Sequence, residues 1–278
     1  MKYNCDKLSQ DIRKRIILMA EYCENIEGYW GGYLSMVEIL AVLYGDVMNL
    51  KDVHSNEINC DKFILSKGHS GLAMYVAMYE TGIITKQQLL TYNQKGSGLT
   101  HLASKNRAIG VECSGGSLGL GLPLAVGYAL LAKRKNFHYK TYVIVGDGEI
   151  QEGANWEAML SASKYKLDNL ILVIDYNKNQ SDGSCVDIMP LDNLKNKLES
   201  FGWDARECDG HSCTSLQQKL YEKSYGKPIA IIAHTIKGKG LYFMENNNNW
   251  HHLRMSENEL VIAKKELGLE QCNGNKIY

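Results

Sequence analysis

An acidic residue flanked by glycines follows one of the apolar runs of this 278-residue sequence. The run Tyr142–Val145 ends in Gly146, Asp147 and Gly148, and a helical segment comes next. Glycines let the backbone approach a bulky anion, and the N-terminus of the following helix offers free N–H groups and its positive dipole end to phosphate. We interpret this turn as a cradle for a diphosphate.

A second strand end supplies oxygen ligands one crossover further along the chain. The apolar run Leu170–Ile174 leads into the sequence DYNKN, which contains Asn177 and Asn179. One helix and one return strand fit between Gly148 and Asn177, and a right-handed crossover brings the two strand ends side by side. Mg²⁺ prefers oxygen ligands and shares its sites with phosphates. We therefore expect Asp147, the Asn177 amide and one backbone carbonyl to hold Mg²⁺.

The elements that position these residues alternate between short apolar runs and longer helical patterns. Continuous apolar runs are typical of parallel strands that are covered on both faces. They lie at Phe63–Leu65, Tyr142–Val145, Leu170–Ile174 and Ile229–Ala233. The helical candidates are the first 45 residues, Leu118–Lys133, Gln151–Lys164, Leu216–Lys223 and Glu257–Leu267. This pattern predicts an α/β fold with a doubly wound, mostly parallel sheet, helices on both faces, and ligands at the carboxyl ends of the strands.

Length and composition predict one large domain over residues 1–278, because 45% hydrophobic content can bury a large core and no linker marks a boundary. Lys plus Arg equals Asp plus Glu at 31 each, so no net charge attracts nucleic acid or an anionic membrane. The sequence shows neither a signal peptide nor an apolar run of the ~20 residues that span a membrane. We expect a cytoplasmic protein.

Eight cysteines are scattered along the chain without a CxxC pair, which suits reduced thiols in a reducing compartment. Cys208, His211 and Cys213 lie close together, but their spacing fits no standard zinc pattern. Buried or surface thiols are therefore the favoured interpretation, with a metal site as the alternative.

Five segments of the sequence resemble transketolase segments and occur in transketolase order. They are DKFILSKGH at 61–69, GVECSGGSLGLG at 110–121, GDGEIQEG at 146–153, DYNKNQSDG at 175–183 and HTIKGKG at 234–240. GDG alone is a weak signal, but GDG with an Asn-bearing strand end is similar to the cofactor motif of thiamine diphosphate enzymes. The similarity ends where a full-length transketolase begins its pyrimidine-binding domain. The chain thus resembles the N-terminal, diphosphate-binding subunit of a two-chain transketolase.

The resemblance implies thiamine diphosphate as cofactor, bound through Mg²⁺, for which Ca²⁺ or Mn²⁺ can substitute. It assigns the metal to the side chains of Asp147 and Asn177 and to the main-chain oxygen of Asn179. The other cofactor contacts that it implies lie at Gly116, Ser117, Leu118, Gly146, Gly148 and Glu149. Of these, the segment beginning at Gly116 matches the one whose main chain meets the aminopyrimidine.

Three histidines and a glutamate are the catalytic candidates that the resemblance implies. His69 matches a histidine near the diphosphate and the substrate channel, and His251 matches one that reaches the diphosphate and the substrate hydroxyls, with the adjacent His252 as alternative. His101 falls where the family has Gly-His-Pro, although this chain reads Thr-His-Leu. Glu152 matches either a carboxylate network across the subunit interface or a surface residue at a helix N-terminus. A structural hydrogen-bonding role is the alternative for each histidine.

The segment GYWGGYLS at 28–35 departs from the family pattern. Transketolases typically have His-Pro-Gly-Gly-Ser-Leu-Ser here, and that His contacts the sugar substrate. Tyr29 replaces this His, Trp30 the Pro and Tyr33 the Ser, so we expect large rings to reshape the pocket and an imidazole that exchanges protons near neutral pH to be lost. We therefore expect a specialised sugar as substrate, bound by Tyr29, His101 and His251.

The resemblance implies transfer of a two-carbon ketol unit from a ketose to an aldehyde, on sugars or sugar phosphates. The glutamate that activates the cofactor belongs to the pyrimidine domain, so we expect this chain to be inactive alone and to form a heterotetramer with a C-terminal, pyrimidine-domain subunit. Two alternatives stay open: the alpha subunit of a 2-oxo-acid dehydrogenase, and a non-catalytic binding or regulatory relative. His211, in an Asp-Gly-His element common in the family, is interpreted as structural.

Overall fold

A computed structural model describes residues 2–23, 27–50 and 59–270. Its α-helices are α1 Cys5–Tyr22, α2 Trp30–Ser35, α3 Val37–Val42, α4 Gly71–Glu80, α5 Lys86–Leu89, α6 Gly121–Lys135, α7 Asp147–Ile150, α8 Gly153–Lys164, α9 Cys185–Ile188, α10 Leu194–Ser200, α11 Cys213–Tyr221 and α12 Glu257–Glu266. Its strands are β1 Glu27–Gly28, β2 Lys62–Leu65, β3 Thr141–Gly146, β4 Leu170–Tyr176, β5 Asn179–Gln180, β6 Gly183–Ser184, β7 Asp204–Asp209, β8 Ile229–His234 and β9 Leu253–Arg254.

Five of these strands form a parallel sheet in the order β2-β3-β4-β8-β7. β3 and β4 are neighbours, and Gly146 at the end of β3 lies opposite Asp175 in β4. The two strand ends that carry the predicted ligands are thus side by side. The antiparallel pairs β1–β9 and β5–β6 are short two-residue ladders.

Alternate side chains of each central strand enter two different hydrophobic cores. In β3, Tyr142 and Ile144 pack with α1, α3, α4 and α11, whereas Val143 and Val145 pack with α6, α8 and α10. Helices therefore cover both faces of the sheet, which explains why β3 and β4 carry the continuous apolar runs Tyr142–Val145 and Leu170–Ile174. The predicted doubly wound α/β fold is confirmed.

The sequence prediction missed β7, which lies at the edge of the sheet and has no continuous apolar run. Its Ala205 and Cys208 are buried, but charged side chains stand between and around them. One of these, Arg206, is also buried, and it pairs with Asp204 at 2.5 Å. An edge strand with one partner tolerates polar residues that a central strand would not, so apolar runs alone do not detect it.

Several predicted helix bounds were also wrong. The helix predicted from Leu118 begins at Gly121, because Gly116 and Gly119 adopt positive φ angles and form a turn. The segment predicted as one helix from Gln151 to Lys164 begins only at Gly153, after the separate turn α7. α11 begins at Cys213 and ends at Tyr221, and α12 ends at Glu266. The N-terminal helical stretch is broken by the extended pair Glu27–Gly28.

Among the described residues, no helix has the length and hydropathy required to cross a membrane. Cys208 and Cys213 are buried free thiols, and no cluster of three or more His, Cys, Asp or Glu in the same ranges could hold a metal.

Candidate diphosphate and metal site

The carboxyl ends of β2, β3, β4 and β8 meet around a cavity of about 470 Å³. The predicted site residues among its walls are Tyr29, His69, Gly116, Leu118, Gly146, Asp147, Gly148, Glu149, Glu152, Asn177, Asn179 and His251. Two predicted residues are not among these walls. Ser117 is exposed on the loop that carries Gly116, and His101 packs against Tyr29 with 5.5 Å between ring centroids.

Asp147 is a buried carboxylate at the start of α7, with 2% of the residue exposed. One oxygen accepts the N–H of Gly148 at 2.8 Å, and the other accepts the N–H of Lys178. Burial, together with the nearby charge of Asp175, raises the pKa of Asp147 to about 6. No basic side chain in the described ranges forms an ion pair with it, so this carboxylate lacks a cation.

The two predicted ligand segments are joined directly by the turn between β4 and β5. The Asn177 side-chain oxygen accepts the N–H of Asn179 at 3.1 Å, and the Asn179 amide donates back to the Asn177 carbonyl at 2.9 Å. Lys178, between them, has a positive φ of 65°, and its N–H reaches Asp147. A Cβ on Gly148 would lie 2.8 Å from Cβ of Gln180, so glycine permits the close packing of α7 on this turn.

Glu149 fixes the cavity wall through its own hydrogen bonds. Its carboxylate accepts the N–H of Gly119 at 2.9 Å, the N–H of Gly146 at 3.2 Å and the hydroxyl of Ser66. The Ser66 oxygen accepts the N–H of Gly121 at 3.0 Å. Burial raises the pKa of Glu149. The side chain predicted to bind cofactor thus holds the loop before α6 against the ends of β2 and β3.

That loop forms the outer wall of the cavity. Gly116 has a φ of 123°, and a Cβ there would lie 3.2 Å from the Leu102 side chain. Gly119 packs against Glu152, the exposed N-cap residue of α8, because a Cβ would come within 2.6 Å of it. Leu118 is exposed on the same wall. The predicted aminopyrimidine segment and Glu152 therefore border one opening.

Lys67 belongs to a closed polar cluster beside the cavity that the sequence prediction did not identify. Its Nζ pairs with Asp175 at 2.6 Å, and that carboxylate also accepts the hydroxyls of Ser35 and Thr235. Asp175 is fully buried. Burial acts to raise the pKa of Asp175, but the Lys67 charge and these hydrogen bonds outweigh it and hold the pKa below its usual value.

Lys237 is a second buried lysine on the cavity wall, and its surroundings differ from those of Lys67. Its Nζ contacts the Gln180 carbonyl at 3.2 Å, Asn248 Oδ1 at 2.5 Å and His251 Nδ1 at 3.0 Å. All three partners are neutral, and the described part of the chain gives Lys237 no ion pair. Burial and the charge of Lys67 lower the pKa of Lys237 to about 8. This ammonium lacks an anion.

A sequence signal for both lysines existed. Lys67 follows β2 closely and Lys237 follows β8, so each stands at the carboxyl end of a central strand, as Asp147 does. Ligands of open α/β sheets bind at those ends. Applying the strand-end rule to basic as well as acidic residues would have found them.

Tyr29 stands among four imidazoles at the cavity. Its ring centroid lies 4.4 Å from His252, 4.8 Å from His69, 5.5 Å from His101 and 5.7 Å from His251. His251 lines the cavity and binds Lys237, whereas His252 is exposed and lies 4.0 Å from Glu27. The geometry thus brings the three predicted histidines around Tyr29 and puts His251 rather than His252 in the cavity wall.

Three of these imidazoles are held in the neutral form. Burial, with the charge of Lys67, lowers the pKa of His69 well below its usual value. Burial and the charge of Lys237 lower the pKa of His251 to about 4, and burial also lowers the pKa of His101. Near neutral pH they therefore offer one hydrogen-bond donor and one acceptor each rather than a positive charge.

The expectation that several large rings reshape the pocket is wrong for two of them. Trp30 and Tyr33 are fully buried and pack edge to face at 5.5 Å, and Trp30 Nε1 donates to the Leu253 carbonyl at 2.8 Å. Residues three apart share one face of a helix, and in α2 that face is turned to the core. Of these three rings, only that of Tyr29, at the N-cap of α2, lines the cavity.

Comparison with known proteins gives consistent matches. The family model described as transketolase, thiamine diphosphate binding domain, matches residues 9–277. An apulose-4-phosphate transketolase subunit of Actinobacillus succinogenes is 41% identical over 265 residues, which cover 94% of this chain and 95% of that one. A 6-deoxy-6-sulfo-D-fructose transketolase subunit of Clostridium sp. is 37% identical over 245 residues, or 87% of this chain and 89% of that one.

Solved structures agree with the sequence relatives. Transketolase from Leishmania mexicana superposes with a TM-score of 0.86 and 25% identity over 100% of this chain. The chain spans 43% of the length of that transketolase chain.

Proposed function

The chain belongs to the transketolase family as an N-terminal, thiamine diphosphate-binding subunit, and from that premise we propose that it holds thiamine diphosphate through Mg²⁺ at the strand ends. A partner polypeptide completes the site, and the assembled enzyme transfers a two-carbon ketol unit from a ketose to an aldehyde. One observation carries this proposal: the cavity presents a buried carboxylate without a cation and a buried ammonium without an anion among the described residues. A metal diphosphate supplies both missing charges.

The donor set at the strand ends fits Mg²⁺. Carboxylate, amide and carbonyl oxygens are the ligands that this ion prefers, and it usually shares its site with phosphate and water. We assign the metal to the side chains of Asp147 and Asn177 and to the main-chain oxygen of Asn179. Ca²⁺ and Mn²⁺ accept the same ligands and would substitute for it.

Thiamine diphosphate supplies, when bound, the carbon nucleophile and electron sink that cleavage beside a ketose carbonyl requires. The chain's own residues bind and orient the cofactor and the substrate. Because the Lys237 ammonium can only donate, Nδ1 of His251 accepts and its Nε2 carries a proton. His251 can therefore donate to a substrate hydroxyl or a phosphate oxygen, and neutral His69 can hydrogen-bond in the same cavity. Lys237, on the cavity wall, would offer its positive charge to the diphosphate.

We propose that the partner is a C-terminal chain with the pyrimidine domain, and that two copies of each polypeptide form a heterotetramer. The two relatives described above are themselves named as transketolase subunits. Leu102 and Leu118 line the cavity, and Leu120 and Leu124 follow Leu118 in the chain; all four are 39% to 50% exposed. Contiguous exposed apolar surface favours burial against a partner. Glu152 at the same opening would then join a carboxylate network across the interface.

Reconstitution tests this function. The purified chain alone is expected to show negligible ketol transfer, and addition of its pyrimidine-domain subunit is expected to restore it, because the activating glutamate lies on the partner. Lipoyl-dependent oxidation of pyruvate by the same complex would favour the 2-oxo-acid dehydrogenase alternative. Robust ketol transfer by the single chain would contradict the proposal.

The substrate is proposed to be a specialised sugar or sugar phosphate, bound by Tyr29, His101 and His251. Tyr29 occupies the cavity wall where the family pattern has a substrate-contacting histidine, and the relatives above are named for apulose-4-phosphate and 6-deoxy-6-sulfo-D-fructose. We expect Tyr29→His to raise kcat/KM for xylulose 5-phosphate by about tenfold. Tyr242→His, at an exposed tyrosine, is the matched control. Equal kcat/KM in wild type and Tyr29→His would count against Tyr29 as a specificity residue.

We further propose that residues 1–278 act as one diphosphate-binding domain in a reducing, cytoplasmic compartment. All described cysteines are free, as thiols are in such a compartment. The balanced charge gives no reason to propose nucleic acid or membrane as a partner.

A further inference from the structure

A network of buried, hydrogen-bonded side chains fixes the backbone of the loop that carries Lys237. This Lys237 loop, residues 235–240, follows β8 directly. The N–H of Ile236, next to Lys237, donates to Nε2 of His211 at 2.8 Å. Nδ1 of His211 lies 2.9 Å from one oxygen of Glu38, and the other oxygen of Glu38 pairs with Arg13 at 2.6 Å. The network therefore joins α1, α3 and the turn after β7 to the loop.

The partners of His211 fix its tautomer. A backbone N–H can only donate, so Nε2 of His211 accepts from Ile236 and Nδ1 carries the proton. That proton is donated to Glu38. The side chains of His211, Glu38 and Arg13 are only 8% to 12% exposed. Both ring nitrogens are thus committed, one to the carboxylate and one to the Lys237 loop.

The same network also holds the far end of the loop. Nε of Arg13 donates to the Lys239 carbonyl at 3.0 Å. Gly240 has a φ of 95°, and a Cβ there would come within 2.5 Å of the Arg13 side chain. Ile236 and Lys239 are therefore both anchored, on either side of Lys237. Because Lys237 Nζ meets three acceptors at 2.5 to 3.2 Å, a small shift of its backbone would break that geometry.

We propose that His211 is a positioning residue for Lys237: by accepting the Ile236 N–H it fixes the backbone from which the ammonium reaches the diphosphate, and so sets cofactor affinity. This inference rests on the proposed function, because it assumes that Lys237 faces a diphosphate. It gives His211, interpreted from the sequence as structural, a part in cofactor binding that it performs without touching the cofactor.

Two variants separate the two hydrogen bonds of His211. In His211→Gln the amide oxygen can reach the position of Nε2 and accept from Ile236, but the bond to Glu38 is lost. In His211→Asn the amide nitrogen can occupy the position of Nδ1 and donate to Glu38, but Ile236 loses its acceptor. We expect His211→Asn to weaken binding of thiamine diphosphate with Mg²⁺ by about tenfold, and His211→Gln to stay within about threefold of wild type.

The measurement is calorimetric titration of thiamine diphosphate in saturating Mg²⁺ into the complex with the pyrimidine-domain subunit. His234→Asn, at an exposed histidine that pairs with Glu207, is the matched control. A double-mutant cycle adds the decisive comparison: in the Lys237→Met background, His211→Asn should cost no further affinity, because its effect passes through Lys237. Two results would overturn the proposal. One is an equal loss of affinity in His211→Asn and His211→Gln, and the other is a tenfold loss from His211→Asn that is still seen in the Lys237→Met background.

Hydrogen exchange at the Ile236 amide, measured without cofactor, reports on the hydrogen bond from Ile236 to His211. Faster exchange in His211→Asn than in His211→Gln is expected, and equal exchange would contradict the inference. If wild-type complex binds no thiamine diphosphate while the Ile236 amide still responds in this way, the proposed function fails and the positioning of the loop by His211 stands.

Discussion

Two buried charge arrangements lie side by side at the strand ends, and they differ in whether the chain itself completes them. Asp175 has a counter-ion in Lys67 and hydroxyl donors in Ser35 and Thr235. Asp147 has two backbone donors and the neutral Cys185 thiol, and Lys237 has only neutral acceptors in the described residues. The first arrangement is closed, and the second lacks a cation and an anion.

This difference separates buried charges that the chain itself neutralises from buried charges that it leaves without a counter-ion. An unpaired buried charge costs free energy, so its retention at a cavity wall indicates a partner from outside the chain. The pKa directions agree: burial raises the pKa of Asp147 to about 6, whereas Lys67 and the hydrogen bonds hold that of Asp175 below its usual value against the effect of burial. Changes in the closed cluster should therefore lower stability, whereas changes in the open pair should lower ligand affinity without lowering stability.

The largest expected effect is a loss of stability in Asp175→Asn, in the closed cluster around Asp175 and Lys67. The change leaves the Lys67 ammonium buried without its counter-ion, so the free energy of unfolding should fall by about 3–5 kcal/mol. Urea denaturation of the cofactor-free chain measures it. Asp192→Asn, at an exposed aspartate, should leave stability unchanged. A loss below about 1 kcal/mol in Asp175→Asn would break the comparison, because the cluster would then not be a stabilising unit.

The sequence predicted the open site better than the closed one, for a physical reason. Asp147 and Asn177 follow strands recognisable by their apolar runs, and parallel strands put their carboxyl ends together, so local pattern and topology sufficed. Asp175 gave no separate signal, because Ser35, Lys67 and Thr235 are far apart in sequence and only the tertiary structure brings them to one carboxylate.

The same limit explains the remaining differences between sequence and structure. β7 lacks an apolar run because it is an edge strand, and the turn before α6 depends on positive φ angles at Gly116 and Gly119 that the helical pattern hides. The inward orientation of Trp30 and Tyr33 follows from the phase of α2, which composition does not give. Fold class and the meeting of the two strand ends were predictable, whereas the phase of short helices and distant polar partners were not.

The second prediction concerns Asp147→Asn, which removes the open carboxylate. Affinity for thiamine diphosphate with Mg²⁺ should fall by about 100-fold, because the proposed site binds metal and diphosphate together. The cofactor-free chain should become more stable at pH 7, by about 1 kcal/mol. Removal of a buried charge without a cation outweighs the loss of one hydrogen bond, because the Asn amide has one oxygen for the two N–H groups from which Asp147 accepts. Calorimetry of the complex and urea denaturation of the metal-free chain measure the two quantities. Undiminished affinity would mean that the metal is held elsewhere.

The pH dependence of that stability gap sharpens the assignment. Because the pKa of Asp147 is higher in the folded chain than in the unfolded chain, the folded state binds more protons between about pH 4 and 6. Raising the pH across that window therefore destabilises wild type relative to Asp147→Asn. The gap seen at pH 7 should close as the pH falls toward 4, in the presence of chelator. A gap that is constant with pH would show that Asp147 does not titrate as a buried, unpaired group.

The smallest of these effects is expected from Lys237→Met, which keeps an unbranched side chain, one atom shorter, and removes its charge. Diphosphate affinity should fall about tenfold, as for loss of one charge-assisted hydrogen bond. Lys239→Met is a control on the same loop, because Lys239 pairs with Glu245 at the surface and does not line the cavity. If the control lost as much affinity as Lys237→Met, the loss would reflect the charge of the loop as a whole.

The pH profile of affinity separates the charge of Lys237 from its shape. The free site holds Lys237 with a pKa of about 8, so its charged fraction declines as the pH rises through that value. A bound diphosphate favours the ammonium, and wild-type affinity should therefore decrease above about pH 8, while Lys237→Met should show no decrease from this group. Parallel profiles in the two proteins would mean that Lys237 contributes packing alone, and the open arrangement would then consist of Asp147 by itself.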